Sequence, residues 1–137
     1  MTIAAAYHMD RRDYALGVDS EGEGPSDLRT PATKAHRFGA WLVAACGSAA
    51  QHQRGVRWLV TATPEPGVPV WSSPEAELPT VRGALLAMHA HLLTTAGGAP
   101  TDTPHDSGTG WIVVGPAGLL TMDGHGALVL HEHYAAI

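Results

Sequence analysis

The residues best able to do chemistry in this chain are its nine histidines. His131 and His133 lie two apart in an apolar run that we predict to be a strand, where alternate side chains project from one face. Two imidazoles on one face form part of a zinc-type ligand set. The third ligand would come from His8, His105 or Asp106. We therefore consider a divalent-metal site at His131, His133 and His8. The preferred interpretation is that these histidines lie at a strand end that holds no ion, and that the protein has no cofactor.

A second close pair, His89 and His91, is excluded as a shared metal site. The pair lies in a predicted helix, where a spacing of two residues rotates the side chains about 200° apart. Titration is a separate hypothesis for the histidines as a group, because imidazoles near their ordinary pKa change charge between about pH 5 and pH 8. The hypothesis is that the stability or the assembly of the protein depends on pH.

Two tryptophans and an arginine form a candidate ligand-binding surface. Trp58 and Trp71 are predicted on paired strands joined by a short turn, close enough to pack across the hairpin. Arg57 adjoins the first of them, and an exposed indole with arginines nearby can stack on a nucleobase or another flat ligand. The alternative, in which these tryptophans are core or interface residues, is the preferred interpretation.

No specific catalytic motif is present. The chain contains no Gly-x-Ser-x-Gly elbow, no Walker loop and no His-Glu-x-x-His helix. Cys46 falls on the apolar stripe of a predicted helix, where a buried thiol behaves as a small hydrophobe. Acid–base residue types occur in a Pro/Thr/Asp/Gly loop at 99–109, but their closeness in sequence is no evidence of a triad. The catalytic residues are therefore unknown, and the sequence leaves open whether the protein is an enzyme.

Composition indicates one globular domain over residues 1–137. The chain is 45% hydrophobic and 15% charged, too apolar for a chain that stays disordered. The single cysteine cannot form an internal disulfide, and no apolar run approaches the length of a membrane span. We therefore expect a cytoplasmic protein that does not contact a membrane.

The net charge of −5 is unevenly spread along the chain. Residues 1–57 hold seven of the eight basic side chains, and the remainder is acidic. A cluster of these cations would bind a nucleic-acid backbone by releasing counterions. Because acids are interleaved with them, a solvated surface of mixed sign is the preferred interpretation, and nucleic acid is not the expected partner.

Hydrophobic periodicity predicts two ββα-like units followed by a meander. Strands are expected at 3–9 and 14–19, then a helix that opens at Thr30-Pro31 and ends before Gly55. The second unit has strands at 55–63 and 68–71 and a helix at 79–95. The two helix starts are offset by fifty residues, which suggests an internal pseudo-repeat of about 1–54 and 55–98. An antiparallel meander covers 110–134, with a turn at Asp123-Gly124.

The order of aromatic and turn residues in the second half of the chain follows a known pattern. A tryptophan run at 57–63, a Pro/Gly turn, a second tryptophan at 71 and a helix opening at Leu78-Pro79-Thr80 precede Gly110-Trp111 and the Asp123-Gly124 hairpin. Over roughly residues 57–130 this order resembles the DUF317 family of Streptomyces proteins, although that family prefers Thr-Pro at the helix start. The resemblance implies an actinobacterial cytoplasmic protein of unknown activity, and it supplies no catalytic residues.

These elements predict an α+β fold with both helices packed on one face of a mainly antiparallel sheet. Apolar strands near the C-terminus and a Pro-marked edge would leave surface for a partner. The leading hypothesis is a small binding or regulatory protein without catalytic activity, acting as a homodimer. The first alternative is a small-molecule enzyme or ligand-binding protein with a His-lined pocket between sheet and helices, metal-dependent in one version. The second alternative is a nucleic-acid-associated protein.

Overall fold

The computed structural model describes residues 3–19, 21–23, 29–31, 34–61, 77–94 and 106–137. Within these ranges six strands come first, two helices follow, and four strands complete the order. No helix in them is long and apolar enough to cross a membrane. The elements are β1 (Ala4–His8), β2 (Tyr14–Val18), β3 (Glu21–Glu23), β4 (Arg29–Pro31), β5 (Ala35–Phe38), β6 (Trp41–Gly47), α1 (Ala49–Thr61), α2 (Leu78–Thr94), β7 (Thr109–Gly115), β8 (Gly118–Met122), β9 (Leu128–His131) and β10 (Tyr134–Ala136).

The strands form two main sheets, and all their pairings are antiparallel. The large sheet has the order β5-β6-β7-β8-β9, the small sheet has the order β10-β1-β2, and β3 pairs with β4 separately. The helices cover one face of the large sheet. The small sheet packs against its other face. The molecule is therefore layered as helices, large sheet and small sheet.

Two cores separate these layers. The core beneath the helices contains the largest buried side chains, among them Trp41, Trp111, Leu85, Met88 and Leu92. The core between the sheets is built from smaller residues. β7 contributes to both, because its side chains alternate between the helix side and the small sheet, and a strand buried on both faces has a continuous apolar sequence. The sandwich core is formed by Ala4, Ala6, Ala44, Ile112, Val114 and Leu119.

Several sequence predictions are confirmed. The fold is α+β with mainly antiparallel sheets, and both helices contact the same face of the large sheet. The helix predicted at 79–95 is α2, and the strands predicted at 3–9 and 14–19 are β1 and β2. The C-terminal meander is also present, as β7 to β9.

The helix predicted to open at Thr30 is wrong. Residues 29–47 instead contain β4, β5 and β6, and Gly39, with a φ of 60°, lies in the turn between β5 and β6. Trp41, Val43 and Ala45 face the helices, while the intervening residues face the small sheet. Because both faces of β6 are buried, its apolar residues are continuous enough to mimic a helical stripe. Cys46 therefore lies on a strand.

The strand predicted at 55–63 is also wrong, because these residues belong mainly to α1. Gln51, Gly55 and Leu59 are its buried positions, a spacing of four that places them on one helix face. The alternation around Trp58 is thus coincidental. The predicted strand at 68–71 lies outside the described residues.

Candidate functional site

A lysine–aspartate ion pair joins the two sheets near one end of the sandwich. Lys34 is the only lysine in the chain, and its Nζ lies 2.7 Å from Oδ2 of Asp19. The Lys34 side chain is only 10% exposed and that of Asp19 is 33% exposed. Removing an ammonium group from water is costly unless it is paired. The sole lysine of the chain is therefore held in an ion pair at an enclosed position.

Strand ends bring the two partners together. Asp19 directly follows β2 of the small sheet, and Lys34 directly precedes β5 of the large sheet. The two residues are 15 positions apart in the chain. The ion pair therefore fixes the small sheet to an edge strand of the large sheet at a defined point.

The second carboxylate oxygen of Asp19 binds Ile3, the residue before β1. The backbone N–H of Ile3 donates to Oδ1 of Asp19 at 2.9 Å, and the N–H of Asp19 donates to the Ile3 carbonyl at 3.1 Å. The hydrogen bond from Lys34, reinforced by the one from Ile3, holds the pKa of Asp19 below its usual value. Asp19 is therefore ionised at neutral pH, with one oxygen on Lys34 and the other on Ile3.

The thiol of Cys46 lies close to this pair. Burial raises the pKa of Cys46, the negative charge of Asp19 raises it further, and the positive charge of Lys34 partly offsets both effects. Cys46 also packs against the sandwich core. A neutral, half-buried thiol is a poor nucleophile, so Cys46 is a neighbour of the ion pair rather than its reactive group.

The residue before Ile3 is Thr2, and its side-chain hydroxyl is the one nearest to Ile3 in the sequence. Thr2 itself lies outside the described residues. Its neighbour Ile3, however, is bonded through its backbone to Asp19 in both directions. In the sequence, Thr2 therefore directly precedes a residue whose backbone is bonded to the carboxylate of the ion pair.

The β6–α1 junction follows Cys46. Gly47 has a φ of 118°, and a β-carbon on it would collide with the carbonyl oxygen of Gly108. Ser48 then caps α1, because its Oγ accepts the N–H of Gln51 at 3.3 Å and its carbonyl accepts that of His52 at 2.9 Å. Only glycine fits this turn without strain.

A histidine pair links β5 to α1. Nε2 of His36 lies 3.0 Å from Nε2 of His52, and the His52 ring meets the edge of Trp111 with centroids 5.7 Å apart. Burial lowers the pKa of both histidines, and for His52 the neighbouring His36 lowers it further. One ring donates and the other accepts, so the pair is neutral at neutral pH.

The three histidines considered for a metal site have separate partners. His131 Nε2 lies 2.8 Å from Thr121 Oγ1. His8 Nε2 donates to the Pro116 carbonyl at 3.1 Å, and His133 Nδ1 donates to the carbonyl of His8 at 3.1 Å. Among the residues that the structure describes, no group of three His, Cys, Asp or Glu side chains could hold a metal ion. The metal hypothesis therefore gains no support here.

The predicted tryptophan surface is arranged differently from the expected hairpin. Trp58 and Arg57 lie on α1. Trp58 is half-buried beside the ring of His91 on α2, with centroids 6.0 Å apart, and Arg57 is exposed. Trp71 lies outside the described residues. Ligand binding by these residues stays a prediction, but their placement on paired strands is wrong for Trp58.

Comparison with solved structures identifies the fold. BPH from Thiobacillus denitrificans, solved in complex with epoxomicin, matches with a TM-score of 0.72 at 17% identity over 98% of this chain and 70% of that one. The Anbu complex from Pseudomonas aeruginosa, solved as a helical assembly, matches with a TM-score of 0.74 at 15% identity over 98% of this chain and 60% of that one. The chain has the fold of these proteins.

A third match is Anbu from Yersinia bercovieri, described as an ancestral beta-subunit. It gives a TM-score of 0.68 at 16% identity, over 98% of this chain and 60% of that one. The present chain thus spans three-fifths of the length of these Anbu chains. No protein-family model and no curated protein matches it.

Sequence reasoning missed the Asp19–Lys34 pair. It treated Lys34 as one of several scattered cations and Asp19 as the end of a strand. Two signals were available: the chain has one lysine among eight basic residues, and a threonine directly follows the first methionine. Neither signal is a motif with a fixed spacing. Asp19 and Lys34 come together only because the end of β2 lies next to the start of β5.

Proposed function

We propose that this protein is a peptide-bond hydrolase whose nucleophile is the hydroxyl of an N-terminal Thr2. The observation that carries the proposal is the enclosed Lys34–Asp19 pair, bonded to the residue that follows Thr2. An N-terminal threonine supplies both parts of a nucleophile–base pair, since its own α-amino group can accept the proton of its hydroxyl. The proposal requires a free α-amino group on Thr2, so whatever precedes Thr2 must be removed.

The reaction proceeds in two steps. Oγ of Thr2 attacks the carbonyl carbon of the substrate amide, and the hydroxyl proton passes to the α-amino group. The C–N bond then breaks, the α-ammonium returns this proton to the leaving amine, and the acyl group stays on Thr2 as an ester. In the second step water gives a proton to the same amine and attacks the ester. The acid leaves, and Thr2 regains its hydroxyl proton.

Lys34 and Asp19 have distinct roles in this scheme. The proposal assigns to the ammonium group of Lys34 the stabilisation of the negative charge that develops on the reacting oxygen. Asp19 holds Lys34 with one oxygen and the Ile3 amide with the other. Asp19 therefore sets the distance between the cation and the backbone of Ile3, the residue that follows the proposed nucleophile. It is a positioning residue, because it need not touch the substrate.

The likeness to solved structures supports this proposal in one respect. BPH, which has the same fold, was solved in complex with epoxomicin. Epoxomicin is consequently a rational probe for this chain. The competing proposal is the binding or regulatory role without catalysis.

The test uses untagged protein and intact-mass spectrometry. We expect the mass of a chain that begins at Thr2. After incubation with epoxomicin the mass should increase by one equivalent of the compound, and peptide mapping should locate the adduct on Thr2. Thr2→Ala should abolish the adduct. Thr94→Ala should retain it, since Thr94 is an exposed α2 residue whose hydroxyl donates to the His91 carbonyl.

A second variant tests the need for the free amine. Adding Gly-Ser in front of Thr2, in a form that is not removed, should abolish both the adduct and peptide hydrolysis while leaving the melting temperature unchanged. A protein that has a free Thr2 amine, yet neither reacts with epoxomicin nor hydrolyses any member of a fluorogenic peptide set, would favour the non-catalytic binding role.

A further inference from the structure

Two imidazoles from separate elements meet through the same ring atom. Nε2 of His36 on β5 and Nε2 of His52 on α1 are 3.0 Å apart. The ring planes are 83° apart and the ring centroids 5.0 Å. The bonded ring nitrogens of His8, His131 and His133 face oxygen atoms instead. His36 and His52 therefore bring two nitrogen ligands to one point between a strand and a helix.

The surrounding structure holds both rings in place. His36 lies opposite Val43 in the β5–β6 register, and Val43 is fully buried beneath the helices. His52 lies in the first turn of α1, where its backbone N–H donates to the Ser48 carbonyl at 2.9 Å. Its ring contacts the buried ring of Trp111 at an angle of 90°. Ligands held in this way lose little conformational freedom when they bind an ion.

The distance between the two nitrogens is close to that in a metal complex. Tetrahedral zinc holds imidazole nitrogens at about 2.0–2.1 Å, which places two of them roughly 3.3 Å from each other. The observed 3.0 Å therefore has to widen by roughly 0.3 Å to match this geometry. Small rotations of the two rings supply this change, because the terminal torsion of histidine has a broad minimum.

Both rings are already in the protonation state that a metal requires. Burial lowers the pKa of His36 and of His52, so each is neutral at neutral pH. One Nε2 donates its proton to the other in the unliganded pair. A metal replaces this hydrogen bond when the donating ring moves its proton from Nε2 to Nδ1, which leaves both Nε2 lone pairs free. The number of bound protons is the same before and after.

We propose that His36 and His52 bind one divalent transition-metal ion, with zinc as the expected occupant. Both ligands are neutral nitrogens, which suit zinc, nickel and copper, whereas magnesium and calcium prefer oxygen. Among the described residues no third His, Cys, Asp or Glu side chain completes the set. Both histidines are only partly buried, so water occupies the remaining positions. The proposal does not depend on the proposed hydrolase activity.

The first test is calorimetric titration of the untagged full chain with zinc chloride at neutral pH, in a buffer that does not bind zinc. Two protein ligands bind less tightly than the four of a structural site, so we expect one equivalent with a dissociation constant in the micromolar range. His36→Asn and His52→Asn should each weaken binding at least about ten-fold, since losing even a partner of a ligand costs this much. Magnesium chloride should give no binding at the same concentrations.

Matched controls and a second readout separate loss of the site from misfolding. His125→Asn and His131→Asn make the same substitution in a turn and at the end of β9, and both should leave zinc binding unchanged. Nitrogen NMR of the imidazoles then follows the unaltered protein, with no variant that could misfold. Without zinc one ring of the pair should carry its proton on Nε2, and with zinc both rings should carry it on Nδ1.

Any of three results would overturn the proposal. The first is the absence of saturable zinc binding below millimolar concentrations. The second is binding that His131→Asn removes, or that persists at full strength in His36→Asn and His52→Asn. The third is binding of zinc during which one ring of the pair keeps its proton on Nε2, because the ion would then occupy a different part of the protein.

Discussion

The ammonium nitrogen of Lys34 lies 2.7 Å from a carboxylate oxygen of Asp19, and the two residues adjoin edge strands of different sheets. Lys34 is the only lysine of the chain. The other carboxylate oxygen holds the amide of Ile3. Ile3 before β1, the end of β2 and the start of β5 therefore meet at one carboxylate.

The first prediction concerns activity. Lys34→Met removes the cation, and Lys34→Arg keeps the charge but replaces a compact ammonium by a planar fork that does not fit the same position. We expect each variant to hydrolyse peptides at least about a hundred-fold more slowly than the unaltered protein, because a charge placed at a reacting group contributes effects of this size. The measurement is steady-state hydrolysis of a fluorogenic peptide.

The control for this experiment is Arg37→Met, which removes an exposed cation from β5. It should retain full activity. Equal activity of Lys34→Met and the unaltered protein, with both folded, would remove Lys34 from the mechanism.

The second prediction concerns the dependence of stability on pH. Burial lowers the pKa of His36 and His52, so below about pH 6.5, the ordinary pKa of histidine, the unfolded chain binds more protons than the folded chain. Stability is therefore complete above this pH and decreases as the pH falls. We expect the melting temperature to drop between pH 7 and pH 5, and the drop to be smaller in the double variant His36→Asn/His52→Asn.

The matched control is His125→Asn, in an exposed turn, which should keep most of the decrease. Some dependence on pH should also remain in the double variant, because burial lowers the pKa of His89 as well. A melting temperature that stays constant over this pH range would contradict the prediction.

The third prediction compares two helical glycines. A β-carbon on Gly55 of α1 would lie 2.5 Å from Cζ2 of Trp111 and 3.0 Å from the sulfur of Met88. Gly55→Ala should therefore destabilise the protein by about 1–3 kcal/mol through overpacking. Gly83 of α2 has no atom within 4 Å of the same position, so Gly83→Ala should stabilise the protein by up to about 1 kcal/mol. Urea unfolding of both variants measures the difference, and an equal effect of the two substitutions would show that α1 does not approach Trp111 closely.

The sequence predicted the class of fold but not the position of the first helix. In α2 the buried residues Val81, Leu85, Met88 and Leu92 recur at spacings of three and four, and this spacing distinguishes a helix from a strand. β6 is buried on both faces, so its run Ala44, Ala45 and Cys46 has no alternation of polar and apolar residues. Without that alternation, sequence gives no basis for choosing a strand over a helix. Local sequence could not resolve this, because the burial depends on two other layers of the molecule.

The candidate site was even harder to predict from the sequence than the fold. Asp19 and Lys34 are 15 residues apart, and their partnership depends on the register of β1 with β2 and of β5 with β6. The contact between His36 and His52 was equally hard to predict, because both residues were expected on one helix. In the structure His36 lies on β5 and His52 lies on α1. Residue type showed which groups could react, whereas only the packing of the sheets shows which of them meet.

The fourth prediction uses Cys46 to report on the ion pair. Asp19 raises the pKa of this thiol and Lys34 lowers it, and only the thiolate reacts with iodoacetamide. Asp19→Asn should therefore speed up alkylation of the folded protein at pH 8, whereas Lys34→Met should slow it. Opposite effects are informative, because general loosening of the fold would accelerate both variants. Labelling rates from intact mass, compared with the rate in urea for each variant, provide the measurement. The same direction of change in the two variants would mean that Cys46 does not sense the charges of the pair.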